Sequence, residues 1–162
     1  MVRELINELS LDIFVLTETW MRLNDKPTNR TIINNMLPST HSFHHLSRPR
    51  GDIGGGGVGI FLSKAFTHIS MKRSSTFNTF EYLNIDFNHN REKLKFIVVY
   101  RPPSTSRCTF RQEFQDLLDT LVGEQRKTYI CGDFNHWVED PNARDAVKFL
   151  ELMDTFNFTN DV

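Results

Sequence analysis

Residues 12 to 20 read Asp12-Ile13-Phe14-Val15-Leu16-Thr17-Glu18-Thr19-Trp20. Four apolar residues in succession, stopped abruptly by polar ones, have the form of a short strand buried on both faces. Upstream, Val2, Leu5, Ile6 and Leu9 fall at i, i+3, i+4 and i+7, one apolar stripe of a short helix. A helix running into a buried strand is half of an α/β unit, and such sheets present their chemistry at the carboxyl ends of their strands. Glu18 stands at such an end.

Downstream, the same grammar repeats. Asn24 to about Thr40 holds Pro27, Pro38 and many Asn and Thr and reads as loop. Six of the eight glycines lie between Gly51 and Gly59 and lead into a short strand, Val58 to Leu62. Phe80 to Phe87 alternates, with Leu83, Ile85 and Phe87 on one face; the turn signal Asn88-His89-Asn90 joins it to a second strand, Leu94 to Tyr100. This pair is an antiparallel hairpin, ended by Arg101-Pro102-Pro103, because proline cannot donate to a ladder. Phe110, Phe114, Leu117, Leu118 and Leu121 mark an amphipathic helix closed by Gly123. Tyr129-Ile130-Cys131 is a buried strand running into Gly132-Asp133-Phe134-Asn135. Asp140-Pro141 has the form of an N-cap followed by proline at the first helical position, opening a helix with Ala146, Phe149, Leu150 and Met153 on one face. No repeat, low-complexity tract or linker interrupts this order, so residues 1–162 read as one α/β domain.

Composition narrows the partners. The 162 residues carry 19 Lys+Arg against 20 Asp+Glu, a net charge of -1, which excludes a nucleic-acid clamp working by bulk charge but not a nucleic-acid substrate. At 39% hydrophobic and 24% charged residues, the chain is globular rather than disordered. Two cysteines, Cys108 and Cys131, make no disulfide framework. No apolar run reaches the roughly 18 residues of a membrane span, and Arg3, Glu4, Glu8 and Asp12 rule out a secretory leader at this start. A nuclear or cytoplasmic location, not secretion, is the expectation.

Three strands end in polar residues: Thr17-Glu18-Thr19, Tyr100-Arg101 and Gly132-Asp133-Phe134-Asn135. With period two, Asp133 and Asn135 share a side while Phe134 enters the core. Together with Gly55-Gly56-Gly57-Val58-Gly59-Ile60 and Val98-Val99-Tyr100-Arg101-Pro102-Pro103, these stretches resemble the endonuclease/exonuclease/phosphatase superfamily. Within it, the chain is similar to the apurinic-type endonuclease domain of LINE retrotransposons, of the CR1/L2 group. The resemblance runs through nearly the whole chain, Asp140-Pro141 included.

That resemblance implies a four-layer α/β sandwich, two mixed β-sheets flanked by helices. It also implies an incomplete one: the family's first strand, with its asparagine motif, and its last strand, with a terminal Asp-His pair, have no counterpart here. By the same likeness Glu18 holds Mg²⁺ (or Mn²⁺), and Asp133 orients or activates the attacking water. Asn135 then hydrogen-bonds the scissile phosphate, and Tyr100 contacts that phosphate or lies beside the nucleophile. The implied activity is Mg²⁺-dependent hydrolysis of DNA phosphodiesters, impaired by the missing histidine. The implied partners are the DNA backbone and, in the intact element, a reverse transcriptase domain, with no membrane and no small-molecule cofactor. The chemistry is coherent: water attacking an anion needs a hard cation to neutralise developing charge, Mg²⁺ takes oxygen ligands and keeps waters, and a carboxylate beside the phosphate serves as base. A phenol and an amide add directed donors. A second reading is a non-catalytic remnant of a retroelement that at most binds nucleic acid or protein. A third, a phosphatase for a small molecule or lipid, is disfavoured by the Tyr100-Arg101-Pro102-Pro103 and Asp140-Pro141 context.

Other groups take plainer readings. His136 should face away from Asn135. His41, His44 and His45, with no carboxylate or cysteine at ligand spacing, read as a solvated strand edge. The glycine run lacks the Lys-Ser/Thr ending of a phosphate-binding loop and reads as a tight turn into a strand. Arg48, Arg50, Lys72, Arg73, Arg101, Arg107 and Arg111 are scattered and make no patch. Glu81 reads as a buried, hydrogen-bonded structural carboxylate rather than a metal ligand.

Overall fold

Val58–Ser63 is buried at every position, and this strand, β3, is the spine of the first sheet. The computed structural model describes residues 2–21, 26–47, 55–73, 77–136 and 144–159. Arg48, Arg50, Gly51, Gly54 and the Asp140-Pro141 cap lie outside the described residues. Strand β3 pairs antiparallel with β1 (Ile13–Thr17) on one side and β2 (His41–Leu46) on the other, giving the order β1-β3-β2. The second sheet runs β4 (Thr67–Arg73), β5 (Glu81–His89), β6 (Glu92–Tyr100), β7 (Lys127–Asp133); its first two pairings are antiparallel and β6–β7 is parallel. Among the described residues, four helices flank the sheets: α1 (Val2–Glu8), α2 (Lys26–Met36), α3 (Arg107–Asp119) and α4 (Arg144–Thr155). Two β-sheets with helices at their flanks are the architecture expected; the first sheet is antiparallel throughout and the second is mixed.

Alternation builds two cores. Val58, Ile60 and Leu62 meet Leu83, Ile85, Phe87, Val98 and Tyr100 between the sheets, with Ile13 and Val15 of β1 against them. On the far face of the second sheet, Phe80, Tyr82, Ile97 and Val99 pack under Phe110, Phe114, Leu117, Leu118 and Phe149 of α3 and α4. Each such side chain contributes about 1.5–3 kcal/mol on burial, so two continuous layers outweigh any single polar contact. Arg107 and Arg111 of α3 pair with Asp145 of α4 at 3.4 and 2.8 Å. Lys95, fully buried, bridges Asp86 and Glu124, each at 3.1 Å, tying the turn after α3 to the sheet.

Several expectations are corrected. The supposed loop after Asn24 contains α2. Pro27 is its second residue, where the first helical turn tolerates it, and the half-buried stripe is Asn29, Ile33 and Met36. With Pro27 and several Asn and Thr among the helix's eleven residues, its composition is that of a loop. Strand β4 was not anticipated: a bulge between Thr67 and Ser70, with His68 at φ 53°, breaks the alternation that Ile69 and Met71 would otherwise display. Strand β1 is half-buried and antiparallel rather than fully buried, because a four-residue apolar run carries no directional signal. Helix α3 ends at Asp119, and Gly123 closes the turn that follows it at φ 83°.

Candidate active site

The register of the second sheet puts three polar residues on one rung. Glu81 of β5 stands opposite Tyr100 of β6, and Tyr100 opposite Asp133 of β7. Side chains on one rung share a face, and Tyr100 belongs to the core between the sheets. Its hydroxyl, at the end of β6, donates to Oε1 of Glu18, which follows β1 of the opposing sheet. Thus one hydrogen bond crosses the sandwich at its edge. Tyr100 is buried, whereas Glu18 is exposed.

The phenol is held protonated. Burial raises its pKa first, followed by the hydrogen bond and charge of Glu18 and by the charges of Asp133 and Glu81. All three carboxylates are therefore felt at one hydroxyl.

Asp133 and Asn135 are fixed by backbone geometry. Gly132 has φ 135°, and a Cβ there would lie 1.9 Å from the Val99 carbonyl oxygen. Only glycine permits so close a strand approach. Asp133 Oδ1 accepts from the Asn135 amide at 2.9 Å, and Asn135, at φ 49°, donates Nδ2 to the Arg101 carbonyl at 2.6 Å. One Asp133 carboxylate oxygen and one Asn135 amide hydrogen thus remain outside these bonds.

Arg101 is the buried tie beneath this loop, not a surface cation. Its Nε donates to Phe134 O at 2.6 Å, Nη2 to Asn135 O at 2.7 Å and Nη1 to Thr105 O at 2.9 Å. Its backbone N–H donates to Asp133 O at 2.9 Å. The sequence groups it with scattered surface cations that make no patch.

The glycine run turns into β3 as expected, with Gly55, Gly56 and Gly57 all at positive φ. It also straps the site. Thr19 N donates to Gly57 O at 3.2 Å and Trp20 N to Gly56 O at 3.0 Å, while Gly57 N donates to Glu81 Oε2 at 2.5 Å. Glu81, at 9% exposure, is thus the buried hydrogen-bonded carboxylate that its place in the strand suggested. Glu18 and Trp20 adopt φ 52° and 56°, conformations uncommon for residues with a Cβ and frequent at functional sites.

The histidines divide. His45 Nε2 lies 2.6 Å from Thr19 Oγ1. His41 is buried, with Nε2 2.8 Å from Leu11 O. His44 lies 3.1 Å from Ser42 Oγ, its pKa lowered by burial. They do sit on an edge strand, but the solvated reading is corrected for His41. His136 turns into the helix-side aromatics, its ring 4.9 Å from Phe149. Burial, then Arg101, Arg107 and Arg111, push its pKa down to about 4. Burial likewise raises the Cys131 thiol to about 11, leaving it unreactive.

An open groove of about 930 Å³ follows β7 and α4 and reaches Gly132, Asp133 and Asn135 at one end, without Glu18 or Tyr100 in its wall. Among the described residues, no three His, Cys, Asp or Glu side chains group closely enough to hold a metal by themselves. The donors near Tyr100 are nevertheless all oxygen and carry excess negative charge, a set that suits a hard cation retaining water ligands. No helix among the described residues is long and apolar enough to cross a membrane.

The fold recurs in solved structures. An AP endonuclease from Leishmania major matches with TM-score 0.64 at 15% identity, over 96% of this chain and 60% of that one. An endonuclease/exonuclease/phosphatase family protein from Bacteroides thetaiotaomicron matches at 0.63 and 13%, over 93% and 58%. A humanized D. rerio TDP2 matches at 0.62 and 14%, over 99% and 59%. The chain thus spans a little under 60% of TDP2 and 60% or less of the other two. No curated protein matches the sequence. The profile of the Endonuclease/Exonuclease/phosphatase family matches residues 1–161, and to that family this chain belongs.

Proposed function

We propose that the chain is the endonuclease part of a LINE-type retroelement protein, hydrolysing DNA phosphodiester bonds with Mg²⁺. The observation that carries this reading is the Tyr100–Glu18 hydrogen bond across the sandwich edge, with Asp133 and Glu81 on the same rung. It gathers a phenol and oxygen acids of excess negative charge beside an amide, the donor set for phosphodiester chemistry. Solved neighbours include a TDP2 complexed with single-strand DNA product and an AP endonuclease, which supports a DNA substrate.

Glu18 would hold the cation through the carboxylate oxygen that Tyr100 does not engage. The cation, when bound, supplies neutralisation of charge developing on the phosphoryl oxygens. Asp133 takes the proton of the attacking water, its second oxygen being occupied by the Asn135 amide. Asn135 directs its remaining amide hydrogen at a phosphate oxygen. Tyr100 keeps its proton and fixes the Glu18 carboxylate.

Plasmid nicking in Mg²⁺ tests this, comparing the chain with Glu18→Ala and Asp133→Ala. Loss of about 10³-fold or more in both variants is expected. Equal residual nicking in all three would mean contamination and would leave the non-catalytic remnant as the reading.

A further inference from the structure

Glu81 has so far served as an anchor beneath the glycine strap, yet what hangs from that strap is Glu18. The chain of contacts is short. Glu81 Oε2 accepts the Gly57 N–H at 2.5 Å. The Gly57 and Gly56 carbonyls accept the N–H groups of Thr19 and Trp20, the two residues after Glu18. A buried carboxylate of one sheet thereby sets the backbone of the loop that ends a strand of the other. That loop needs setting, because Glu18 and Trp20 both occupy the left-handed region. The strap admits no slack on its other side: a Cβ on Gly57, at φ 91°, would meet Thr19 Oγ1 at 2.4 Å.

A carboxylate is an expensive acceptor to bury when an amide oxygen could take the same N–H. Beside Tyr100 its charge adds to those of Glu18 and Asp133, which favours a cation at the rung. Its geometry and its charge point to the same neighbour.

We propose that Glu81 is a positioning residue for the metal-binding carboxylate Glu18, acting through the Gly57 amide and the Gly56-Gly57 strap. This rests on the function proposed above. Partners behind a metal ligand typically govern affinity by about 10–100-fold.

The test is Mn²⁺ binding to the full chain, read from loss of the free-ion electron paramagnetic resonance signal, with thermal melting run in parallel. Glu81→Asp keeps the charge but falls one methylene short of Gly57, and should weaken Mn²⁺ binding about 10-fold or more. Glu81→Gln keeps the reach without the charge and should recover part of that loss. Glu81→Ala should be weakest, and if it fails to fold, the Asp–Gln pair still decides. Mn²⁺ bound by Glu81→Asp as tightly as by the unsubstituted chain would overturn the positioning role while leaving Glu18 as the ligand. A Glu81→Gln variant as weak as Glu81→Asp would also overturn it, because reach to Gly57 would then not be what matters. If Glu18→Ala binds Mn²⁺ as well as the unsubstituted chain, the metal assignment itself is wrong, and the role of Glu81 falls with it.

Discussion

Replacing Arg101 separates the scaffold of the candidate site from its chemistry. The guanidinium is 1% exposed and spends all three nitrogens on main-chain carbonyls, at Phe134, Asn135 and Thr105. Hydrogen bonds from charged donors contribute about 1.5–3 kcal/mol each. These three act largely on one short loop and do not add in full, so Arg101→Met should cost about 3–5 kcal/mol. For a chain of this size, about 2–4 °C per kcal/mol gives a fall in Tm of about 6–20 °C. Arg101→Lys should recover only part, since an ammonium carries the charge without the planar fork that reaches three carbonyls at once. Calorimetry reads the stability, and amide hydrogen exchange at Asn135 reads the loop, which should lose protection in both variants. The reasoning fails if Arg101→Met melts within about 2 °C of the unsubstituted chain. It fails equally if lysine replaces arginine without loss.

Gly132→Ala should destabilise by about 2–5 kcal/mol, combining an adverse backbone conformation with a Cβ 1.9 Å from the Val99 carbonyl, as read from urea midpoints. Lys95→Met strands the buried Asp86 carboxylate and should cost about 3–5 kcal/mol, whereas the double change with Asp86→Leu should recover most of it. For His136 the folded pKa lies near 4, below its ordinary value of 6.5. The unfolded chain therefore takes up a proton first as pH falls, so its contribution is complete above about 6.5 and is lost toward 4. His136→Phe, stacking in the same aromatic cluster, should flatten Tm against pH in that window; an unchanged slope would assign it to carboxylates instead. Tyr100→Phe deletes the hydroxyl bonded to Glu18 and should lower nicking about 10²-fold with little change in Tm.

The β5–β6 hairpin of the second sheet was legible because its residues obey one period without interruption. Leu83, Ile85 and Phe87 alternate into the inter-sheet core, and the turn after Asn88 fixes the register with β6. The same register carries Tyr100 to Glu81 and Asp133, so part of the candidate site follows from strand pairing. What stayed hidden depends on packing across the sandwich. Nothing local to Arg101 distinguishes a guanidinium facing solvent from one threaded among carbonyls, because the distinction is made by a loop thirty-odd residues away. The link from Gly57 to Glu81 is equally nonlocal. Helix α2 was illegible for a different reason: Pro27 and its Asn and Thr residues have the composition of a loop, and only Ile32, Ile33 and Met36 are there to mark an apolar side.

The two sheets divide the labour of this candidate site. The first supplies Glu18 on a loop of adverse backbone geometry; the second supplies the straight rung of Glu81, Tyr100 and Asp133. Two polar links described here join the halves, Tyr100 to Glu18 and Gly57 to Glu81, and both lie at the rim of the core in which Val58 meets Leu83 and Val98. Close-packed layers close part of the space that a lost methylene leaves, the rest remaining as a cavity. The spacing between the carboxylates therefore depends in part on the apolar volume beneath them. A core truncation far from any polar group should disturb the rung through layer spacing, which is why precision at the edge of this sandwich is inseparable from the packing at its centre.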